Sequence, residues 1–328
     1  MVLILNRRDV QDLVGMKEAM SVVEEAFLEL YERKAVCPKR LIIEVEKYNG
    51  FAYFMSSYLS EKESLALKMV TQYEQNLQRY GLPTITALIL LSDPKNGETL
   101  AIMDGTYVTA LRTGAASGVA SKHLARRDSE TVGVFGAGAQ AKTQVWALHE
   151  VLRNVRKVKV YDVLPDKAAH FAHEISAQFG LDAEAVKTSE ECVKNSDVLV
   201  LATTSKRPVL DGDWVGKGVH INSVGVTGPE GRELDDKTVK KAKIVVDSKE
   251  SALQETGDMM IPLRNGTILD SDIYAELQEI IGRDKPGRTS NDEITCWKAV
   301  GLAIEDAAVA KLVFDKAVTK RLGKQVEL

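Results

Sequence analysis

Thr131-Val132-Gly133-Val134-Phe135-Gly136-Ala137-Gly138-Ala139-Gln140-Ala141 runs from an apolar β-type stretch straight into Gly-x-Gly-x-x-Ala and on into helical sequence. In such a turn each small residue has its own duty. Gly136 permits the tight reversal, Gly138 lets the backbone approach a pyrophosphate, and Ala141 lets the new helix pack on the sheet. The N–H groups at the helix start, in the loop of Ala137, Ala139 and Gln140, then offer an anion site. Residues 157–161 read as a second strand ending at Asp162, about 24 residues beyond Gly138, where an acid holds ribose hydroxyls. A carboxylate there repels a ribose 2′-phosphate and so points to NAD rather than NADP; the competing reading is that Asp162 only caps the turn before Pro165.

Working outward, the strand-to-helix rhythm recurs. Residues 131–135, 157–161, 197–202, 218–223 and 242–247 are short apolar strands separated by helical stretches, an α/β pattern that predicts a doubly wound parallel Rossmann sheet. The first half differs. A helix over 16–35 precedes strands at 40–45, 51–56, 65–71, 84–91 and 99–103, after a first strand at 2–5. Gly81-Leu82-Pro83 and Ser92-Asp93-Pro94-Lys95-Asn96-Gly97 supply turns, so this half reads as a largely antiparallel α+β unit. In the helix at 16–35, Glu24, Glu25, Glu29, Glu32 and Arg33 fall towards the face away from the core. A small-residue helix over 104–125 bridges the two patterns, and an amphipathic helix over 301–321 returns to the first. The predicted division is 1–120 plus 303–328 for the α+β substrate domain, with 121–302 inserted as the nucleotide domain.

At 328 residues, with 45% apolar residues, the chain supports two folded domains and shows no sign of disorder. A net charge of −4 with scattered basic residues leaves no nucleic-acid or membrane surface in view. Cys37, Cys192 and Cys296 form no Cys-x-x-Cys pair and have no histidine at metal-ligand spacing, so neither a disulfide framework nor a metal site is expected, and a reducing cytoplasm is. The opening apolar run is too short for a signal peptide core or a membrane span.

Ligands of such sheets gather at the carboxyl ends of the strands. Two tails stand out: Ala202-Thr203-Thr204-Ser205 and Asn222-Ser223-Val224-Gly225-Val226-Thr227-Gly228-Pro229, both rich in hydroxyls or glycine and suited to a nicotinamide amide and ribose; ordinary strand exits remain the alternative for Thr203 and Thr204. In the first half, three cations are substrate candidates. Arg112 sits amid small residues, where a guanidinium is costly unless an anion meets it. Lys68 interrupts an apolar strand, sharing a face with Ala66 and Val70, and Arg40 opens a strand after Cys37-Pro38-Lys39. Each alone is more often a structural or solvated ion-pair residue. His220, ending a strand, reads as a core histidine, and Glu255 and Asp258 as residues that reach a cleft or cap a helix.

Taken together, Pro38-Lys39-Arg40, Leu67-Lys68-Met69-Val70-Thr71, Ala101-Ile102-Met103-Asp104-Gly105, Leu111-Arg112-Thr113-Gly114-Ala115, Gly136-Ala137-Gly138-Ala139-Gln140, His220-Ile221-Asn222-Ser223-Val224-Gly225 and Val300-Gly301-Leu302-Ala303-Ile304-Glu305-Asp306 resemble the ornithine cyclodeaminase/mu-crystallin family from first strand to last helix. The resemblance implies a homodimer mating its non-nucleotide domains, so that 1–120 plus 303–328 would be a substrate-binding and dimerisation domain, and one nicotinamide dinucleotide per subunit. It implies further that Arg40, Lys68 and Arg112 surround the substrate's α-carboxylate and reacting centre, that Thr84 and Arg112 touch the cofactor, that Gln140 lies in the phosphate loop, and that Asp162 selects NAD.

One departure from the family pattern steers the expected chemistry. Cyclodeaminases and the family's alanine dehydrogenases carry an aspartate in the loop after His-Ile-Asn, where this chain has Thr227, which takes up no proton near neutral pH. Ketimine reductases of the mu-crystallin type carry a small hydroxyl residue there, and also resemble this chain in residues 247–258 and 274–277. The expectation is an NAD(H)-dependent oxidoreductase interconverting a cyclic ketimine and the L-amino acid, with Lys68, Arg112 and Thr227 as its catalytic residues. The alternatives are alanine dehydrogenation, ornithine cyclodeamination, and a small-molecule binding protein with slight turnover.

Overall fold

The computed structural model describes residues 1–327, in two compact units: Met1–Arg112 together with the segment from Leu302, and Thr113–Gly301. The first unit holds β1 (Val2–Leu5), β2 (Ala35–Val36), β3 (Leu41–Val45), β4 (Gly50–Leu59), β5 (Ser64–Tyr73), β6 (Ile85–Ser92) and β7 (Thr99–Asp104). The second holds β8 (Thr131–Phe135), β9 (Lys157–Tyr161), β10 (Asp182–Ala185), β11 (Val198–Leu201), β12 (His220–Ser223), β13 (Lys243–Val246), β14 (Ile273–Glu276) and β15 (Thr295–Lys298), after which β16 (Lys324–Val326) rejoins the first.

The first sheet runs β16-β1-β7-β6-β5-β4-β2, with β3 also on β4. All its pairings are antiparallel except β1 with β7. Side chains alternate across the pleat, and the two faces have different fates. Register aligns Met55, Lys68, Ile89 and Met103 in one row, all buried, beneath the helix Ala303–Lys320, which packs on β4, β5 and β6. The next row, Leu41, Phe54, Met69 and Leu88, faces the other way, and Leu41, Met69 and Leu88 are 61%, 43% and 58% exposed. This apolar sheet face is thus left open.

The first long helix is Met16–Tyr31, shorter than its apolar spacing suggests, because the chain turns through a left-handed Arg33 into β2. Glu29, grouped by helical spacing with the outward residues, is buried and accepts a hydrogen bond from the Glu61 N–H.

The second sheet is wholly parallel, in the order β10-β9-β8-β11-β12-β15-β13-β14. Alternate residues feed two separate cores, as a sheet covered on both faces requires. Val198 and Val200 join one core with Val132, Val134, Val158 and Val160, while Leu199 and Leu201 join the other with Phe135, Ile221 and Ile244. The strand order reverses between β8 and β11, which puts the ligand crevice of such sheets just beyond Phe135 and Leu201.

Three strands of this sheet, β10, β14 and β15, have no counterpart in the sequence pattern. The case of β15 is instructive, since Thr-Cys-Trp-Lys has neither β-branched enrichment nor alternation, yet lies between β12 and β13 with all four residues buried. Its polar members are tolerated because distant partners meet them: Thr295 Oγ1 donates to the Leu124 carbonyl at 2.9 Å, and Lys298 reaches Asp258 at 2.8 Å. Trp297, which by sequence could wall a pocket or pack a junction, is fully buried in this strand.

Candidate active site

The glycine loop lies at the reversal point. Gly136 adopts φ of +88°, and a Cβ there would stand 2.5 Å from the Ala202 carbonyl oxygen, so only glycine lets the tails of β8 and β11 approach this closely. Gly138 caps the helix Ala139–Val151, and nothing lies within 4 Å of where its Cβ would be, leaving room for a ligand against the backbone. Ala141 lies on the buried face of that helix, fully covered. Gln140 Oε1 is buried with no hydrogen-bond partner among the described residues, a cost a ligand donor would relieve. Open space, a long helix N-terminus and an orphaned acceptor fit the pyrophosphate and ribose of a dinucleotide.

Asp162 caps the turn and also reaches the glycine loop. Its Oδ1 accepts the Leu164 N–H at 3.0 Å, capping the turn, and its Oδ2 accepts the Ala137 N–H at 3.0 Å, tying the end of β9 to the glycine loop. Thr203 spends its hydroxyl and its N–H on Glu233 Oε1, whereas Thr204 is exposed. Val224 is buried and donates its N–H to the Leu201 carbonyl. Gly225 has no room for a side chain, since its Cβ would fall 2.2 Å from the Thr203 nitrogen. Thr227 is exposed, between Val226, whose carbonyl accepts from Lys298 Nζ at 2.9 Å, and Gly228, whose N–H donates to the Glu255 carbonyl.

His220 is the core residue its sequence suggested. Its ring is fully buried against Thr295 Oγ1, Ser121 Oγ and Asn222 Oδ1, and burial, with the Arg288 charge, lowers its pKa to about 3.

In the first unit the buried charges gather around Lys68. Placed in an otherwise apolar row, its ammonium donates to Asp306 Oδ2 at 2.6 Å. Arg112 reaches the same carboxylate through Nε at 3.2 Å and Glu305 Oε2 through Nη1 at 2.8 Å. All four side chains are buried. Glu305 and Asp306 occupy the first turn of Ala303–Lys320, where the helix dipole favours negative charge, and the other oxygen of Glu305 accepts the N–H of Leu302, the residue before the helix. Burial, followed by the Arg112 charge, lowers the Lys68 pKa to about 8 despite the opposing Asp306.

Arg40, half-buried, immediately precedes β3. The β3–β4 ladder opens at the next residue, with Leu41 opposite Phe54, and Met55, which follows Phe54, faces Lys68 across β4 and β5. Thr84, partly buried, accepts the Tyr73 N–H on its carbonyl at 2.8 Å.

Sequence reasoning missed Glu305 and Asp306 as partners of the cations, and Glu233 and Lys298 altogether. The acidic pair opening the last amphipathic helix was the available signal for the first two; a lone Glu in a loop and a Lys in a polar-looking tetrapeptide carry none.

The parallel sheet with its reversal-point glycine loop is the fold of the dinucleotide-dependent oxidoreductases. More narrowly, the chain belongs to the ornithine cyclodeaminase/mu-crystallin family, whose model matches residues 2–321. It is similar to Thermococcus litoralis Delta(1)-pyrroline-2-carboxylate reductase, solved in complex with NADH and L-proline, with 52% identity, a TM-score of 0.97, and coverage of 99% of this chain and 100% of that one. An archaeal alanine dehydrogenase dimer with bound NAD shares 40% identity at a TM-score of 0.94, covering 99% of each chain. A Delta(1)-pyrroline-2-carboxylate reductase of Bacillus cereus is 39% identical over 326 residues, 99% of both. Among the described residues no helix is long and apolar enough to cross a membrane.

Proposed function

We propose that this protein is an NAD(H)-dependent oxidoreductase that reduces a small cyclic α-imino acid, a pyrroline- or piperideine-2-carboxylate, to the corresponding L-amino acid. The observation carrying the proposal is the buried Lys68–Asp306–Arg112–Glu305 network. Arg40 and Arg112 bind the α-carboxylate and so orient the C=N carbon, since guanidinium forks match carboxylates in geometry and charge. Lys68 holds a proton for the imine nitrogen, and Asp306 holds Lys68 in place. The glycine loop from Gly136 to Gln140, with Asp162 and the tails at Thr203, Thr204, Val224 and Gly225, holds the dinucleotide, and Thr84 and Arg112 touch it. When bound, that cofactor supplies the hydride. Thr227, exposed at its loop, offers a hydroxyl and no titrating carboxylate, which suits a preformed imine better than a reaction needing a base for ammonia or for an ornithine side chain.

Alanine dehydrogenation is the second reading, favoured by the likeness to the archaeal enzyme. NADH oxidation with pyrroline-2-carboxylate against pyruvate plus ammonium separates the two. Preference for the cyclic imine by tenfold or more in kcat/KM is expected, and the reverse preference would make it an alanine dehydrogenase.

Cofactor choice gives a sharper test of Asp162. At about 4 Å and an effective dielectric of about 20, two like charges repel by about 4 kcal/mol. Asp162→Asn is expected to raise the NADPH-to-NADH ratio of kcat/KM by about 10–100-fold, allowing for solvent screening; an unchanged ratio removes Asp162 from the ribose site.

The open apolar face of the first sheet supports a homodimer formed through Leu41, Leu67, Met69 and Leu88, in keeping with the archaeal dimer. Three free cysteines accord with a reducing, cytoplasmic home.

A further inference from the structure

A second buried ionic cluster lies in the Thr113–Gly301 unit, built from residues far apart in sequence. Glu233, Asp258 and Lys298 are each 0% exposed. Glu233 Oε1 accepts the N–H and hydroxyl of Thr203 at 2.7 and 2.8 Å, and its Oε2 accepts the Gly225 N–H at 2.9 Å. One carboxylate thereby ties the tail of β11 to the tail of β12. Asp258 fixes Glu233 in turn, its Oδ1 accepting the N–H groups of Glu233 and Leu234 at 2.7 and 2.8 Å. Its Oδ2 pairs with Lys298 Nζ at 2.8 Å, and Lys298, the last residue of β15, donates to the Val226 carbonyl at 2.9 Å. The Ser223 hydroxyl lies within 3.2 and 3.3 Å of the two carboxylates. The cluster therefore locks together the carboxyl ends of three neighbouring strands, β11, β12 and β15, at the edge where such sheets bind ligands.

A structural ion cluster of this size is an expensive way to hold loops. Burying two carboxylates and one ammonium costs several kcal/mol per ion, and an apolar filling is often as stable. Apolar side chains, however, cannot impose direction on the backbone N–H groups of Thr203 and Gly225, and a carboxylate can. Burial opposes the Lys298 charge, but the Asp258 and Glu233 carboxylates outweigh it and raise the Lys298 pKa, so the ammonium persists at neutral pH.

We infer that Glu233, Asp258 and Lys298 are positioning residues for the nicotinamide end of the cofactor site, acting through the backbone of Thr203, Gly225 and Val226. The inference rests on the assignment of those strand tails to the dinucleotide. It also explains why Asp258, which by sequence reaches a cleft or caps a helix, turns its carboxylate inward while Thr256 does the capping.

Glu233→Gln tests it. The carboxamide keeps one acceptor but sets an NH₂ against either the Thr203 or the Gly225 N–H, so one tail must move. The expected result is an NADH dissociation constant, read from cofactor fluorescence, raised about 5–30-fold, as loss of a charge-assisted hydrogen bond of about 1–2 kcal/mol gives. With it kcat should fall while KM for pyrroline-2-carboxylate, held by Lys68, Arg112 and Arg40, moves less than about twofold. A purely structural role would lower the melting temperature and leave both cofactor affinity and kcat of the folded protein unchanged, which overturns the inference. Should Glu233→Gln not fold, Ser223→Ala removes the hydroxyl beside both carboxylates with little change in packing and is expected to raise the NADH constant by about 2–5-fold; no change overturns the inference equally. Failure of the underlying assignment is distinct, since the unmodified protein would then show no NADH fluorescence change.

Discussion

Arg112→Ala is expected to lower kcat/KM for the cyclic imino acid by about 10²–10³-fold and to lower the melting temperature as well. Arg112 is 5% exposed and serves two carboxylates, Glu305 at 2.8 Å and Asp306 at 3.2 Å. Removing one partner of a buried, hydrogen-bonded charge pair costs about 2–5 kcal/mol, much of it because the remaining charge is left unmatched. If that cost falls on the bound substrate carboxylate, each 1.36 kcal/mol is about a factor of ten in rate. Stability and catalysis separate with Arg112→Lys, which keeps the charge and loses the planar fork: a much smaller melting shift is expected, yet still about a tenfold loss in kcat/KM, mostly in KM. Steady-state kinetics alongside thermal melting checks both. Wild-type kcat/KM in a folded Arg112→Ala protein would remove this residue from the substrate site.

The second large effect belongs to Lys68. Since reduction consumes a proton and the Lys68 pKa is lowered to about 8, kcat in the reducing direction should be flat below pH 8 and fall about tenfold per unit above it. Lys68→Met should abolish that limb and lower kcat by about 10²–10⁴-fold, the usual range for a positioned proton donor. The same shift governs stability. Between pH 8 and about 10.5 the unfolded chain holds the proton on this lysine more tightly than the folded one, so stability from this group rises with pH across that window. Below pH 8 the penalty is complete. Denaturant unfolding at pH 7.5 and 10 should show that rise in the wild type and a smaller one in Lys68→Met. A pH profile that the substitution leaves unaltered would assign the proton to another group.

The two predictions concern residues legible in the chain before any partner was visible. Lys68 interrupted an apolar strand and Arg112 a small-residue helix, and each anomaly was a local violation of pattern. What could not be read locally was how the violation is resolved, because Asp306 lies 238 residues from Lys68 and Glu305 lies 193 from Arg112. The glycine loop was legible in full, since a tight turn, an open backbone and a packed Ala141 are all demands on neighbouring residues. Asp162 was legible in position, but that it also holds the Ala137 N–H depends on how β9 and β8 pair.

By itself, then, the amino-acid sequence determined which segments alternate with period two or 3.6, where the chain must turn on glycine, which cations stand in apolar surroundings, and hence the two kinds of sheet. Backbone sterics and side-chain period act over a few residues, and a few residues suffice to show them. Only the tertiary structure decided that β15 enters the parallel sheet between β12 and β13, that the first turn of the last helix neutralises Lys68 and Arg112, and that Glu233, Asp258 and Lys298 bind three strand ends together. A buried charge is settled by whichever opposite charge the fold brings within about 3 Å, and that distance has no counterpart along the chain.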